Sequence, residues 1–290
     1  MNGADHRSWQ AVIGSSAILS LALLGDALIY AVLPVYAEDF GLTMPWVGVL
    51  LSANRFVRVF AYGVIARMAT TIGVRRMCIA GAVLATVSTA LYGFGQGPEV
   101  LIIARIMWGL AYAVLLLVTL FYSVEYRDQV GIRVGVSRAI QRLGPIAALF
   151  IGSWFVGLVG PNTAFIILAV PTALAIPIAF TLPERQSEKT QTNKPLSLTR
   201  PRPIDLLFFV QGYGVDGVFA VSITLIFARE VPLSVAVMSG GALLAMRHVG
   251  EAVAAPTFGW VADRIGARRV FAGSTAVSYT HLTLQTILLV

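Results

Sequence analysis

The eleven residues GWVADRIGARR, Gly259 to Arg269, hold four charged side chains, Asp263, Arg264, Arg268 and Arg269, in a 290-residue chain of which only 12% is Asp, Glu, Lys or Arg. A weaker copy, ARMATTIGVRR, stands at 66–76. Long apolar runs flank both copies. Charge confined to short segments between such runs is the pattern of loops joining membrane-spanning helices.

Composition agrees. The chain is 57% hydrophobic with a mean hydropathy of +0.81, whereas soluble domains carry roughly a quarter charged residues. A bilayer core about 30 Å thick needs about 20 apolar helical residues per crossing. The pattern predicts spans at 11–36, 46–66, 77–96, 99–124, 138–159, 162–182, 204–228 and 233–258, with a ninth beginning near 270. The first is longer than the apolar core of a signal peptide, about 7–15 residues, and no small-residue cleavage site follows it, so it is kept as a spanning helix. Cys78, the one cysteine, falls inside the third span and reads as a small hydrophobe.

The net charge of +7 does not point to nucleic acid, because of where it sits. With the N-terminus cytoplasmic, alternate loops carry Arg7; Arg67, Arg75 and Arg76; Arg127, Arg133, Arg138 and Arg142; Arg185, Lys189, Lys194, Arg200 and Arg202; then Arg264, Arg268 and Arg269, which is 16 of the 21 basic residues. The opposite loops carry only Arg229. This asymmetry predicts a multi-pass protein of the cytoplasmic (inner) cell membrane with its N-terminus inside. The proline-containing polar stretch 183–203 reads as a linker, dividing the chain into a six-helix bundle over 1–182 and a partial second bundle over 204–276.

The two parts repeat. Asp26 precedes Asp216 by 190 residues, LSANRFV at 51–57 precedes LLAMRHV at 243–249 by 192, and Gly73, Arg75 and Arg76 precede Gly266, Arg268 and Arg269 by 193. Polar residues at matching depth in apolar segments point to a duplicated unit, an architecture found in transporters.

At this point the chain resembles a family. Gly259, Ala262, Asp263, Arg264, Gly266, Arg268 and Arg269 match in full the cytoplasmic loop motif of the major facilitator superfamily, while the N-terminal copy keeps Gly73, Arg75 and Arg76 but has Ala66, Thr70 and Thr71 in place of its leading Gly, Asp and Arg. Arg105 and Gly109 are similar to the fourth-helix motif, and Gly144 with Pro145 to part of the fifth-helix motif associated with antiporters, whose next glycines are here Ala148 and Leu149. The resemblance covers residues 11 to about 276 and implies an all-α polytopic fold, alternating access about a central cavity, and a loop that gates it. A full member has twelve helices, so a truncated chain is expected. The tail from 277, VSYTHLTLQTILLV, resembles translated sequencing-adapter sequence and reads as non-native.

Ionisable side chains at membrane depth are candidates for function, since each costs at least about 2.5 kcal/mol at a helix centre. Here these are Asp26, Arg55, Arg58, Arg105, Asp216, Arg247, His248 and Glu251, four arginines against three acids. Arg55 and Arg58, three apart, share a helix face and call for an anion between them, with Asp26 as the natural partner. Arg247 and Glu251, four apart, suit a neutralising pair within one helix, and His248 alone is more often a satisfied interior residue than a proton relay. Asp26 and Asp216 fit proton coupling, and Arg55, Arg58 and Arg105 fit binding an anionic group or holding the acids. The leading expectation is a monomeric, proton-coupled exporter of a small organic solute, with organic-anion uptake or exchange as the alternative. A non-transporting sensor or scaffold would need a soluble domain. Catalytic chemistry, metal and cofactor are not expected, since no metal-ligand cluster or phosphate loop is present and the GxG in QGYGVDG lies inside an apolar helix.

Overall fold

The computed structural model describes residues 3–125, 129–184, 206, 209–210 and 212–275. Arg127, the basic residues of the linker at 185–205, the Asp216 side chain and the tail beyond 275 lie outside the described residues. Among those described the regular structure is helical, without strands. Hydrocarbon offers backbone N–H and C=O groups no partners, and a helix satisfies them within its own segment. The helices are α1 (Gly3–Val32), α2 (Met44–Ile72), α3 (Val74–Phe94), α4 (Gly97–Ser123), α5 (Val130–Val159), α6 (Pro161–Thr181), α7 (212–227), α8 (Leu233–Ile265) and α9 (267–275). All but α7 and α9 are long and apolar enough to cross a membrane over their described lengths.

Prolines start α2, α4 and α6, where the missing N–H costs nothing. Two glycines end α2 and α8 in one and the same way. Gly73 has φ 93° and ψ 145°, and Gly266 has φ 92° and ψ 137°, a backbone region open essentially to glycine alone. The two charged loops therefore turn alike, as duplicated units would.

α1 to α4 and α6 close around two apolar clusters. One gathers Ile18, Cys78, Ala82, Trp108 and Tyr122, the other Leu28, Phe40, Leu50, Tyr92 and Phe165. Phe165 meets Phe40 and Tyr92 edge-on, with centroids 6.2 and 5.5 Å apart.

α5 and α8 form an antiparallel pair along their length. From one end to the other, Gly157 faces Ser234, Leu149 and Ser153 face Gly241, Gly135 faces Ala255 and Gly131 faces Gly259. A Cβ on Gly259 would strike the Gly131 carbonyl, and a Cβ on Gly131 would strike that of Gly259. Only glycine at both positions lets the backbones come so close, as small residues do in membrane helix packing.

α5 corrects the sequence reading. It starts at Val130, not 138, which brings Arg133 into the helix, and Arg138 and Arg142, counted above with the connecting loop, are helical too. Arg133 is buried, donating to the Ser8 hydroxyl at 2.6 Å and lying 4.8 Å over Trp9. α5 also changes pitch, with Pro145 followed by a π-helical turn at Ala148–Gly152. The glycine-rich start of α7, Gly212–Phe219, is π-helical as well.

Replacing Gly266 or Gly73 by Ala is expected to destabilise the chain by about 1–3 kcal/mol in each case. Thermal unfolding in detergent should show similar falls in midpoint; an unchanged midpoint for Gly73→Ala would break the equivalence of the two turns.

Candidate functional site

Arg105 projects from α4 into the first bundle and is 1% exposed. A buried guanidinium must place its donors, and four groups receive them here. Nη1 donates to Asp26 Oδ1 at 2.6 Å and to the Tyr92 hydroxyl at 3.3 Å, Nη2 to the Tyr30 hydroxyl at 3.3 Å, and Nε to the Leu50 carbonyl at 3.0 Å. Asp26 thus pairs with Arg105, not with Arg55 or Arg58 as helix spacing had suggested.

Arg55 and Arg58 share the expected face and both line a central cavity of about 160 Å³. Arg55 Nη1 donates to the Gly212 carbonyl of α7 at 3.3 Å, and its guanidinium lies 6.0 Å from the Tyr30 ring. Arg58 lies 4.5 Å over the Tyr112 ring and donates from Nε to the Asn54 carbonyl at 3.2 Å. A ring face and a carbonyl hold Arg58 without cancelling its charge.

The far wall belongs to α5 and α8. Glu251 accepts from Arg142 Nε at 2.6 Å and Arg247 Nη2 at 2.9 Å, and its Oε2 lies 3.3 Å from His248 Nδ1. The Arg247–Glu251 pair within one helix follows the predicted spacing. Sequence reasoning missed Arg142, which it placed in a loop. Its position four residues inside the apolar span, and two before Gly144, was the signal.

Asp26, Arg55, Arg58, Arg142, Arg247 and His248 all line the cavity, with Tyr30 and Tyr112 as aromatic walls. Counting Arg105 and Glu251 just behind it, five guanidinium groups face two carboxylates, an excess of three positive charges among the described residues. A cleft lined by this many cations attracts anions. No group of three or more His, Cys, Asp or Glu that could hold a metal occurs among the described residues.

The loop motif lies apart from the cavity, at the end of the α5–α8 pair. The first N–H groups of a helix need acceptors, and Gln129, which precedes α5, supplies no side-chain cap. Asp263 of α8 does so from across the interface, accepting from Gly131 N at 2.7 Å and Ile132 N at 2.8 Å. Its negative charge also suits the positive end of the α5 dipole. Arg264 stacks 3.8 Å over Trp260, while Arg268 and Arg269 are exposed. In the first copy Thr70 and Thr71 bond back to the carbonyls of Arg67 and Met68 in their own helix, and Arg75 and Arg76 lie 3.8 and 4.0 Å from exposed Glu184. Gly144 N donates to the Ser20 hydroxyl at 2.7 Å, tying α5 to α1, and Pro145 lines the cavity.

Arg105→Gln is expected to cost about 3–5 kcal/mol of stability, because it leaves Asp26 without its cation. Asp263→Ala should cost about 1 kcal/mol and Thr70→Ala almost nothing, since only the former caps another helix. Thermal midpoints of the three variants in detergent test the order; equal effects of the last two would contradict a latch on one side only.

Comparison with known proteins bears on this arrangement. The profile of the Major Facilitator Superfamily matches residues 15–246. A sequence search of curated proteins returns no match. Among solved structures, the crystal structure of the nucleoside transporter NupG is similar with a TM-score of 0.62 at 14% identity, over 92% of this chain and 69% of that one. A match at that identity speaks for the fold alone, but the profile spans most of the sequence, from within α1 to Met246 of α8. The chain therefore belongs to the major facilitator superfamily, a multi-pass membrane protein built to move solutes and not to catalyse covalent chemistry.

Proposed function

We propose that this secondary transporter carries a small organic anion, and the observation that carries the reading is the charge of its cavity. Among the described residues Arg55, Arg58, Arg142 and Arg247 line it with one acid, Asp26, which pairs with Arg105, while Glu251 behind the wall pairs with Arg142 and Arg247. A neutral solute would bring no charge to these cations, whereas a carboxylate or phosphate would. This favours the anion reading over export of an unspecified organic solute. The nucleoside of the similar solved structure is not transferred at 14% identity.

Alternating access would come from rocking the two bundles about this cavity, with the α5–α8 contact opening and closing. The bond from Asp263 to the α5 N-terminus is the latch of the closed arrangement. By the positive-inside rule the arginine-rich loops, that latch among them, face the cytoplasm of the inner membrane, and so does the N-terminus. Protons are the proposed coupling ion. Asp26 lines the cavity while bonded to Arg105, so its protonation would release a cation that ties α4 to α1, α2 and α3. Asp216 is proposed as its counterpart from the repeat.

Proteoliposomes with an imposed pH gradient test this reading with lactate, succinate and citrate against uridine and a neutral sugar. Uptake of a carboxylate and not of the neutral solutes is expected, falling at least about tenfold in Arg58→Gln. Asp26→Asn should abolish accumulation driven by the pH gradient while leaving exchange measurable. Transport of only neutral solutes would refute the anion reading, and intact proton coupling in Asp26→Asn would refute the role of that acid.

A further inference from the structure

We infer that Glu251 sits where a substrate carboxylate binds, so that the empty carrier holds its own side chain as an internal stand-in for the ligand. This rests on the anion reading above and goes further, naming the chemical group and its subsite.

Three nitrogen atoms meet at the Glu251 carboxylate: Arg142 Nε at 2.6 Å and Arg247 Nη2 at 2.9 Å, which donate to it, and His248 Nδ1 at 3.3 Å. Arg142, Arg247 and His248 all line the cavity, whereas Glu251 is not among its walls. The cations therefore stand between the acid and the open space. The Arg142 guanidinium has five donors in a planar fork, and one carboxylate oxygen does not exhaust them. A carboxylate entering the cavity meets cations already oriented around a carboxylate, and it competes with Glu251 for them. The occupant reports the chemistry: a planar two-oxygen group suits these forks. The size follows from the space. A void of about 150 Å³ holds a benzene-sized molecule, and the described residues leave about 160 Å³ here, room for a small carboxylate. Arg58 on the opposite wall can take a second anionic group, as a small dicarboxylate would offer.

The position of the pair gives the competition a consequence. Arg142 belongs to α5 and Glu251 to α8, so their bond crosses the interface that must part for transport. A substrate that takes over Arg142 breaks this tie, and the empty carrier keeps it. Filled carriers then reorient more readily than empty ones, which is the property of an exchanger. Glu251→Gln keeps the shape of the side chain but removes the competing charge, freeing Arg142 and Arg247 for the ligand.

The test is calorimetric titration of the full chain in lipid nanodiscs with succinate, lactate, citrate and inorganic phosphate, followed by flux in proteoliposomes. Glu251→Gln should bind succinate at least about tenfold more tightly than the parent chain and raise net efflux relative to exchange. Arg142→Gln should bind it more weakly. Glu251→Asp, which draws the charge back by one methylene, should fall between the parent and Glu251→Gln, and it keeps the test open should the amide variant not fold. Binding of a carboxylate by the parent with equal or weaker binding by both Glu251 variants would overturn the inference and leave the anion reading standing. Binding of phosphate alone would overturn the carboxylate assignment. Silence of the parent and both variants toward all four anions would overturn the anion reading as well.

Discussion

One buried cation organises the first bundle. Arg105 of α4 binds Asp26 and Tyr30 of α1, the Leu50 carbonyl of α2 and Tyr92 of α3, so one guanidinium joins four helices. Between apolar surfaces in lipid there is little hydrophobic drive for helices to associate, and polar contacts of this kind set their register. The same pairing shapes the cavity electrostatically. With Asp26 committed to Arg105, Arg142 and Arg247 on the cavity face are answered by Glu251 behind them. Packing and binding chemistry are two effects of one ion pair.

The second bundle meets the first chiefly through α8 lying along α5. That contact combines features of different physical character. Glycines at 131 and 259 let the backbones touch, Asp263 completes the hydrogen bonding of the α5 N-terminus, and Arg142 reaches Glu251 at cavity depth. In the proposed rocking motion the charge-based contacts would be exchanged for water or ligand, whereas a continuous interlock of large side chains could not be undone so readily. Pro145 and the π-helical turn after it interrupt the regular hydrogen bonding of α5 between its latched end and its packed end.

The Asp263 contact also explains why the two copies of the loop motif diverge without losing their shape. The turn depends on Gly73 and Gly266, which both copies retain. The cap depends on a carboxylate, which only the second copy has. Thr70 and Thr71 satisfy their hydroxyls within their own helix, as threonines in helices commonly do, and so have no call on a partner across an interface.

Much was legible in the sequence because the bilayer enforces simple rules. Apolar runs of fixed length, basic loops and glycines at forced turns depend on local residues alone, and from them the chain determined its helices, its family and the face shared by Arg55 and Arg58. Which charge answers which was a different matter. Spacing along a helix exposed the Arg247–Glu251 pair, but Asp26 chose Arg105, 79 residues away, and Arg142 left its presumed loop for the cavity wall. Asp263 found the N-terminus of a helix more than 130 residues earlier. Partners brought together by helix packing lie at separations no periodicity encodes. The tertiary structure decided them, because a charge inside the membrane is settled by whichever oppositely charged group or backbone dipole the packed helices place within reach.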